Sequence, residues 1–272
     1  MTPEAFGSWG WRIPFLLSIF LVGVGLYIRL RIEETPIFAE ALARKEQVKV
    51  PLADLLRHQW RELLLAAGSM LMWSSFYYIG AVFFTSYGTT TLKLSQPTML
   101  TINFLGALLY TLTVVIPSRL SDRIGRRKMI LIGNAMAIPW ALVVMPIINT
   151  GSVLLVGLAV IITMQIVGLS NGPAGAFLPE IFATKYRTTG AGAAYNLGSV
   201  LAGAIPPLLA ASLLATYGSY AIGIMLAAYA LLATGAVLLL RETRGTTLRS
   251  EREPSAAPNA TASPVDSAET VV

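Results

Sequence analysis

The sequence contains no cysteine and a single histidine, His58, in 272 residues. The first absence excludes disulfides, thiol nucleophiles and cysteine-ligated metals. The second excludes a histidine-rich metal site and leaves a serine–histidine pair with one available base. Charge is scarce too. Only 12% of residues are Asp, Glu, Lys or Arg, against about 25% in an ordinary soluble domain. Halving that fraction removes the polar skin a water-soluble fold needs. With 55% hydrophobic residues and a mean hydropathy of +0.66, lipid is the solvent that fits. No stretch alternates in period two over the length of a barrel strand, which argues against strands.

What charge there is carries information by its placement. The net charge is +6, but Lys and Arg sit in short clusters between apolar runs. That suits the positive-inside rule and anionic lipid rather than a phosphate track, so no nucleic-acid partner is expected. The first twelve residues hold only Glu4 and Arg12 as charges, and the apolar run after them ends in Arg29 and Arg31. Neither the basic start nor the small-residue cleavage site of a signal peptide is there, so a retained spanning helix is expected.

Seven apolar segments approach the ~20 residues that cross about 30 Å of hydrocarbon. They run over 13–30, 63–86, 97–117, 129–148, 153–177, 189–215 and 217–240. The predicted fold is an all-α membrane protein of seven transmembrane helices. Its expected divisions are an amino-terminal segment with the first helix (1–31), a polar linker (32–61), a six-helix bundle (62–248) and a disordered tail (249–272). Composition alone assigns the tail, which is rich in Ser, Ala, Thr and Pro.

The connections set an orientation. Arg44, Lys45, Lys49 and Arg57 lie in the first, only Lys93 in the second, and Arg119, Arg123, Arg126, Arg127 and Lys128 in the third. The turn 149–152 is bare, Lys185 and Arg187 follow, the turn near Thr216 is bare, and Arg241, Arg244 and Arg249 open the tail. The basic connections are therefore expected in the cytoplasm, with the amino terminus outside and the carboxyl terminus inside. The sequon Asn259-Ala260-Thr261 then falls on the cytoplasmic side. An odd helix count that begins outside suggests helices upstream of Met1. In the linker, Thr35-Pro36 reads as a helix start. After Pro51, Leu52, Leu55, Leu56 and Trp60 share one face, either of a surface helix or of a lead-in to the second span.

The densest motif is Ser118-Arg119-Leu120-Ser121-Asp122-Arg123-Ile124-Gly125-Arg126-Arg127-Lys128. Gly125 permits a tight turn. Asp122 is expected to accept from the N–H groups of a neighbouring helix start or to pair with an arginine. Such contacts lock two helices on one side and release when the protein rocks; the bland alternative is a positive-inside anchor. This turn resembles the loop signature of the major facilitator superfamily, with Ser118 where the first glycine usually stands. Trp9-Gly10-Trp11-Arg12-Ile13-Pro14-Phe15 and Arg31-Ile32-Glu33-Glu34-Thr35-Pro36-Ile37-Phe38 are similar to the sixth helix and following loop of its metabolite–proton symporters, and the run Phe177 to Gly190 resembles their loop between helices ten and eleven, with Ala183 replacing a common proline.

The resemblance implies helices six to twelve of a twelve-helix transporter of the inner membrane, with helices one to five absent from this chain. It implies symport of a small polar solute and a proton by alternating access, with no cofactor. Asp122, Arg123, Gly125, Arg126, Arg127, Glu180 and Arg187 are its expected gating residues, Glu180 and Arg187 pairing with each other or with the Asp122 loop. The middles of the spans hold no Asp, Glu, Lys or Arg, so a titrating carboxylate is expected outside them. Uncharged polar groups remain: Trp73, Ser74, Tyr77 and Tyr78, then Asn103, Tyr110, Gln165, Ser170, Asn171, Tyr195 and Asn196. Each either meets a solute near the midplane or binds helices together. Tyr77, Asn103, Gln165, Asn171, Tyr195 and Asn196 are the cavity candidates.

Gly168-Leu169-Ser170-Asn171-Gly172 matches a Gly-x-Ser-x-Gly nucleophile elbow. It lies inside a spanning segment, and the only histidine lies in a loop, so the serine has no base. The same glycines are spaced for close helix approach. No enzymatic activity is expected. A non-transporting truncated membrane protein or scaffold remains the alternative. Pro173 and Pro206-Pro207 suggest helix breaks or static kinks.

Overall fold

A computed structural model describes residues 3–31 and 51–243. The Thr35-Pro36 helix start, the run 32–38, the tail and the sequon lie outside the described residues. The chain divides into two units, Met1–Lys49 and Val50–Val272. In the first, a short helix Pro3–Ser8 leads through a turn of 3-10 helix into a 19-residue helix, Ile13–Arg31. The Arg12 guanidinium lies over the Trp11 ring, 4.4 Å from its centroid, and Trp11 meets Phe15 edge to face at 5.8 Å.

Among the described residues, seven helices are long and apolar enough to cross a membrane: Gly10–Leu30, Trp60–Thr90, Gln96–Ile124, Arg126–Ile148, Val153–Ile181, Thr184–Tyr217 and Tyr220–Leu239. They are called the first to seventh spans below. The expected all-α architecture is what forms. Several spans outrun their apolar segments. The third has 29 residues, about 44 Å at ~1.5 Å per residue, against roughly 30 Å of hydrocarbon. The surplus turns carry Arg119, Asp122 and Arg123 beyond the apolar stretch. Pro117, expected near its end, sits inside the helix.

In the second unit the fifth span packs on the third and fourth, the seventh on the fourth, and the sixth on the second. Small residues set these distances. A Cβ at Gly172 would fall 2.6 Å from the Val114 carbonyl oxygen, and one at Gly168 would fall 2.9 Å from Thr113 Cγ2. The close approach expected at these two glycines is therefore present, against the third span. Gly223 does the same for the fourth and seventh spans, where a Cβ would lie 2.5 Å from the Ala141 carbonyl oxygen. Lipid has no hydrophobic effect to offer between helices, so such contact surfaces carry the association.

The third span shows the division of faces. Leu100, Phe104, Leu108, Leu112 and Ile116, four residues apart, are exposed, a stripe suited to acyl chains. Asn103, Gly106 and Thr113, off that stripe, meet the second and fifth spans instead.

Helix regularity breaks where proline does not fully explain it. Val200–Ala204 is a π-helical segment just before Pro206, so a break does occur at the Pro206-Pro207 pair. The Tyr229 hydroxyl donates to the Leu201 carbonyl there, at 3.1 Å, satisfying an oxygen that the wider helix frees. Pro173, by contrast, lies within one uninterrupted helix, Val153–Ile181. A second π-helical segment, Ile79–Phe83, contains no proline.

Candidate functional site

The described Asp, Glu, Lys, Arg and His residues of the second unit gather at one end. Lys93, in the turn between the second and third spans, is the exception. The turn after Ile124 is made by Gly125 at φ 108°, a backbone that L side chains rarely adopt. The fourth span starts at once with Arg126, and its first N–H groups need acceptors. Glu242, just beyond the seventh span, supplies them. Its Oε1 accepts from Arg126 N at 3.0 Å and Arg127 N at 3.4 Å. A negative charge at a helix start is favourable in its own right. A Cβ on residue 125 would stand 2.6 Å from Glu242 Oε2, so a side chain there would push the Glu242 carboxylate aside, while φ itself favours glycine.

The capping is reciprocal. Arg127 Nε donates to the Val237 carbonyl at 3.0 Å and its Nη2 to the Leu238 carbonyl at 2.7 Å. Those oxygens belong to the last turn of the seventh span, where carbonyls run out of helical N–H donors and a cation is favoured. The fourth and seventh spans thus close each other's ends.

Arg126 makes the second connection. Its Nη1 pairs with Glu180 Oε1 at the end of the fifth span, and its Nη2 lies 3.5 Å from Asp122 Oδ1 on the preceding turn. The Arg126 and Glu180 side chains are 19% and 23% exposed, that of Asp122 65%. Burial makes the Glu180 pair the stronger one, because exposed pairs are screened. Of the two pairings expected for Glu180, the one with the Asp122 loop is formed. Arg187 Nε donates to the Pro179 carbonyl at 3.3 Å instead. Arg123 is exposed. Asp122 meets an arginine, while the role of accepting helix N–H groups falls to Glu242, which sequence reasoning passed over. An acid inside a basic connection was the available signal.

At the same end, the helix Pro51–His58 buries Leu55 but leaves Leu52 and Leu56 exposed, and Trp60, also exposed, falls beyond it at the start of the second span. The Tyr186 hydroxyl donates to Asp54 Oδ2. Lys185 Nζ lies 3.8 Å from the same oxygen, and His58 Nδ1 lies 3.1 Å from Asp54 Oδ1. Ala183 N donates to Gln59 Oε1 at 3.3 Å. The linker helix is thereby attached to the turn between the fifth and sixth spans. That Tyr186 hydrogen bond, aided by His58, Lys185 and Arg57, holds the Asp54 carboxyl below the usual carboxylate range against a smaller opposing effect of desolvation.

The cavity candidates separate into two groups. Asn103 Nδ2 donates to Thr85 Oγ1, and Thr113 Oγ1 donates to Gln165 Oε1. These bonds tie the third span to the second and fifth. Asn196 Nδ2 donates to Gly192 O within its own helix, on an exposed face. The other three candidates belong to an aromatic band. Tyr77 lies 6.1 Å from Tyr110, and Asn171 Nδ2 donates to the Tyr110 hydroxyl. Tyr195 lies 6.1 Å from Trp73, one turn before Tyr77. The band crosses the second, third, fifth and sixth spans. Tyr77 and Tyr195 are 40% and 50% exposed.

Ser170 is buried, with its hydroxyl 3.3 Å from the Ile130 carbonyl and 3.2 Å from Asn134 Oδ1. Its position between packed helices suits helix association. The opposite end of the bundle is held without charge. The Tyr87 hydroxyl donates to Asn149 Oδ1 at 2.9 Å, and Asn149 Nδ2 donates to Ser219 Oγ at 2.7 Å. No group of three or more His, Cys, Asp or Glu that could hold a metal occurs among the described residues.

The "Inner membrane metabolite transport protein YhjE" of Escherichia coli K12 is 37% identical over 90% of this chain and 57% of its own length. The E. coli K12 "Shikimate transporter" is 32% identical over 89% of this chain and 57% of its own. The E. coli K12 "Proline/betaine transporter" is 30% identical over 75% and 43% respectively. The chain thus spans 43–57% of the length of these relatives. No solved structure matches it significantly. The family model described as "Major Facilitator Superfamily" matches residues 4–207, and on that match and these relatives this multi-pass membrane chain belongs to the major facilitator superfamily.

Proposed function

We propose that this chain forms part of a secondary transporter of the inner membrane, which moves a small polar metabolite with a proton by alternating access. Its seven spans would correspond to helices six to twelve of a twelve-helix protein, with the charged end of the bundle in the cytoplasm. The observation that carries this reading is the clasp at that end. Arg126, Glu180, Arg127 and Glu242 join the starts and finishes of separate spans by contacts that a rocking bundle can make and break. In a static anchor, arginines at the surface would suffice.

Family membership supports the reading, and the relatives bound the solute. One is named for an organic acid, shikimate, and another for the zwitterions proline and betaine. The described spans of the second unit offer one polar wall of a path, and alternating access needs a facing wall. The proton-carrying group would lie outside these spans.

Uptake of labelled metabolites tests the proposal in cells that make the protein and in cells from which its gene is deleted. The expected result is gene-dependent uptake abolished by a protonophore. Equal uptake in both strains would overturn transport. Gene-dependent uptake that survives the protonophore would overturn proton coupling alone.

A further inference from the structure

The second span is entered through a helix rather than a loop. Gln59 N donates to the Leu55 carbonyl at 2.7 Å and Leu63 N to the Gln59 carbonyl at 3.0 Å, so hydrogen bonding carries on from Pro51–His58 into the span through a bend at Gln59, where φ is −133°. The leading helix has eight residues, about 12 Å at ~1.5 Å per residue. Its whole length therefore stays within that distance of the point where the chain enters the membrane, beside the headgroup layer.

One side of this entry is apolar and open. Leu52, Leu56, Trp60 and Leu64 are 47%, 49%, 57% and 52% exposed. Spaced four apart, they form one stripe, and its last two members already belong to a membrane-crossing helix. An apolar stripe continuous with a span, carrying tryptophan at the junction, suits the membrane–water interface. Next to it in successive turns stand Arg57 and Arg61, both exposed and, among the described residues, in no ion pair. Carboxylates keep off this side. Asp54 is bound by Tyr186, and Glu62, two turns on from buried Leu55, is half-buried.

The helix cannot turn over to hide the stripe in the bundle. Leu55 is already buried there, and the bonds from Tyr186 to Asp54 and from Ala183 to Gln59 fasten its other side. The stripe is left for something outside this unit. Arginine stems lie readily along apolar surface while their guanidinium groups reach phosphate oxygens, which makes an anionic bilayer surface the fitting partner.

We infer that Leu52, Leu56 and Trp60 seat the Pro51–His58 helix in the headgroup layer, with Arg57 and Arg61 forming a binding site for anionic phospholipid headgroups. Each arginine beside an anionic surface is worth about 5-fold in occupancy, the pair roughly 25-fold. The assignment requires only that the chain spans a membrane, so it stands or falls apart from transport.

Because the chain has no cysteine, Ala53→Cys places a single fluorophore on an exposed position of this helix without touching the stripe. The labelled full chain is placed in nanodiscs of phosphatidylcholine, alone or mixed with phosphatidylglycerol. It is quenched by acrylamide from water or by lipid carrying a nitroxide near its headgroup. The ratio of lipid-borne to aqueous quenching should be at least ~5-fold higher with phosphatidylglycerol. High salt should remove that gain, and so should Arg57→Gln combined with Arg61→Gln, with an unchanged circular-dichroism spectrum as the check of folding. If that double variant fails to fold, the salt series on the unsubstituted arginines decides alone. A ratio indifferent to phosphatidylglycerol, or a gain that survives the loss of both arginines or high salt, would overturn the site. A label shielded from both quenchers in both membranes would place a protein surface on the stripe and overturn it equally.

Discussion

At one end of the Val50–Val272 unit, Arg126 and Glu180 pair while Glu242 and Arg127 cap two different helices. At the other end, Tyr87, Asn149 and Ser219 form a chain of neutral hydrogen bonds between three spans. Both ends hold helices together, but with different strength and different sensitivity. A neutral hydrogen bond contributes about 1 kcal/mol net, and one to a charged group about 1.5–3. Charged contacts also respond to salt and protonation, which neutral ones ignore. The closure of the charged end is therefore the firmer and more adjustable of the two, and the neutral end the easier to part.

The largest break in this comparison should come from Arg126→Ala. It leaves Glu180 mostly buried without its partner and should cost about 3 kcal/mol in reversible unfolding of the purified chain. A double-mutant cycle sharpens it: Arg126 with Glu180 should couple by about 1–3 kcal/mol, Arg126 with exposed Asp122 by less than about 0.5. Equal coupling energies would show that burial does not rank these pairs. Correspondingly, Asp122→Asn should leave folding nearly unchanged.

Next in size is Gly125→Ala, expected to lose about 2 kcal/mol because φ 108° strains alanine and its methyl meets Glu242. Wild-type stability in this variant would mean that the clasp yields freely. Asn149→Ala should cost about 1 kcal/mol, and unlike Arg126→Ala its cost should be the same in low and high salt. A salt-dependent loss would erase the distinction between the ends.

The smallest effect concerns Asp54. Its carboxyl is held below the usual carboxylate range, chiefly by the Tyr186 hydroxyl. Its folded value thus lies below its unfolded one, so its stabilisation is fully present above about pH 4 and is lost as pH falls through the lower, folded value. Amide-exchange protection of Pro51–His58, corrected for intrinsic rates, should hold from pH 7 to about 4 and then drop. Protection around Asn149 should not follow it.

The sequence made some of this legible for identifiable reasons. A bilayer demands about 20 apolar residues per crossing, so the spans could be counted, and their charged turns located, from hydropathy and basic residues alone. Which acid does what could not be read. Asp122 stands inside the densest motif, yet points to water; Glu242 is separated from Arg126 by 116 residues and becomes its neighbour only once the seventh span packs on the fourth. Polar residues within spans were similarly ambiguous. Gln165 and Asn171 lie six residues apart on one helix, and only packing assigns the first to Thr113 and the second to Tyr110. Proline was a poor guide to irregularity, because Ile79–Phe83 widens without one while Pro173 sits in a continuous helix.

The reciprocal capping of the fourth and seventh spans has a consequence in time. Synthesis runs from the amino-terminal side, so the Gly125–Arg127 turn emerges long before Glu242 does. Through the synthesis of three further spans, the helix that starts at Arg126 has exposed N–H groups, and Arg127 has no carbonyls from the seventh span to bind. A later-made segment therefore completes an earlier one, and the start of the fourth span gains its acceptor only when Glu242 has been made.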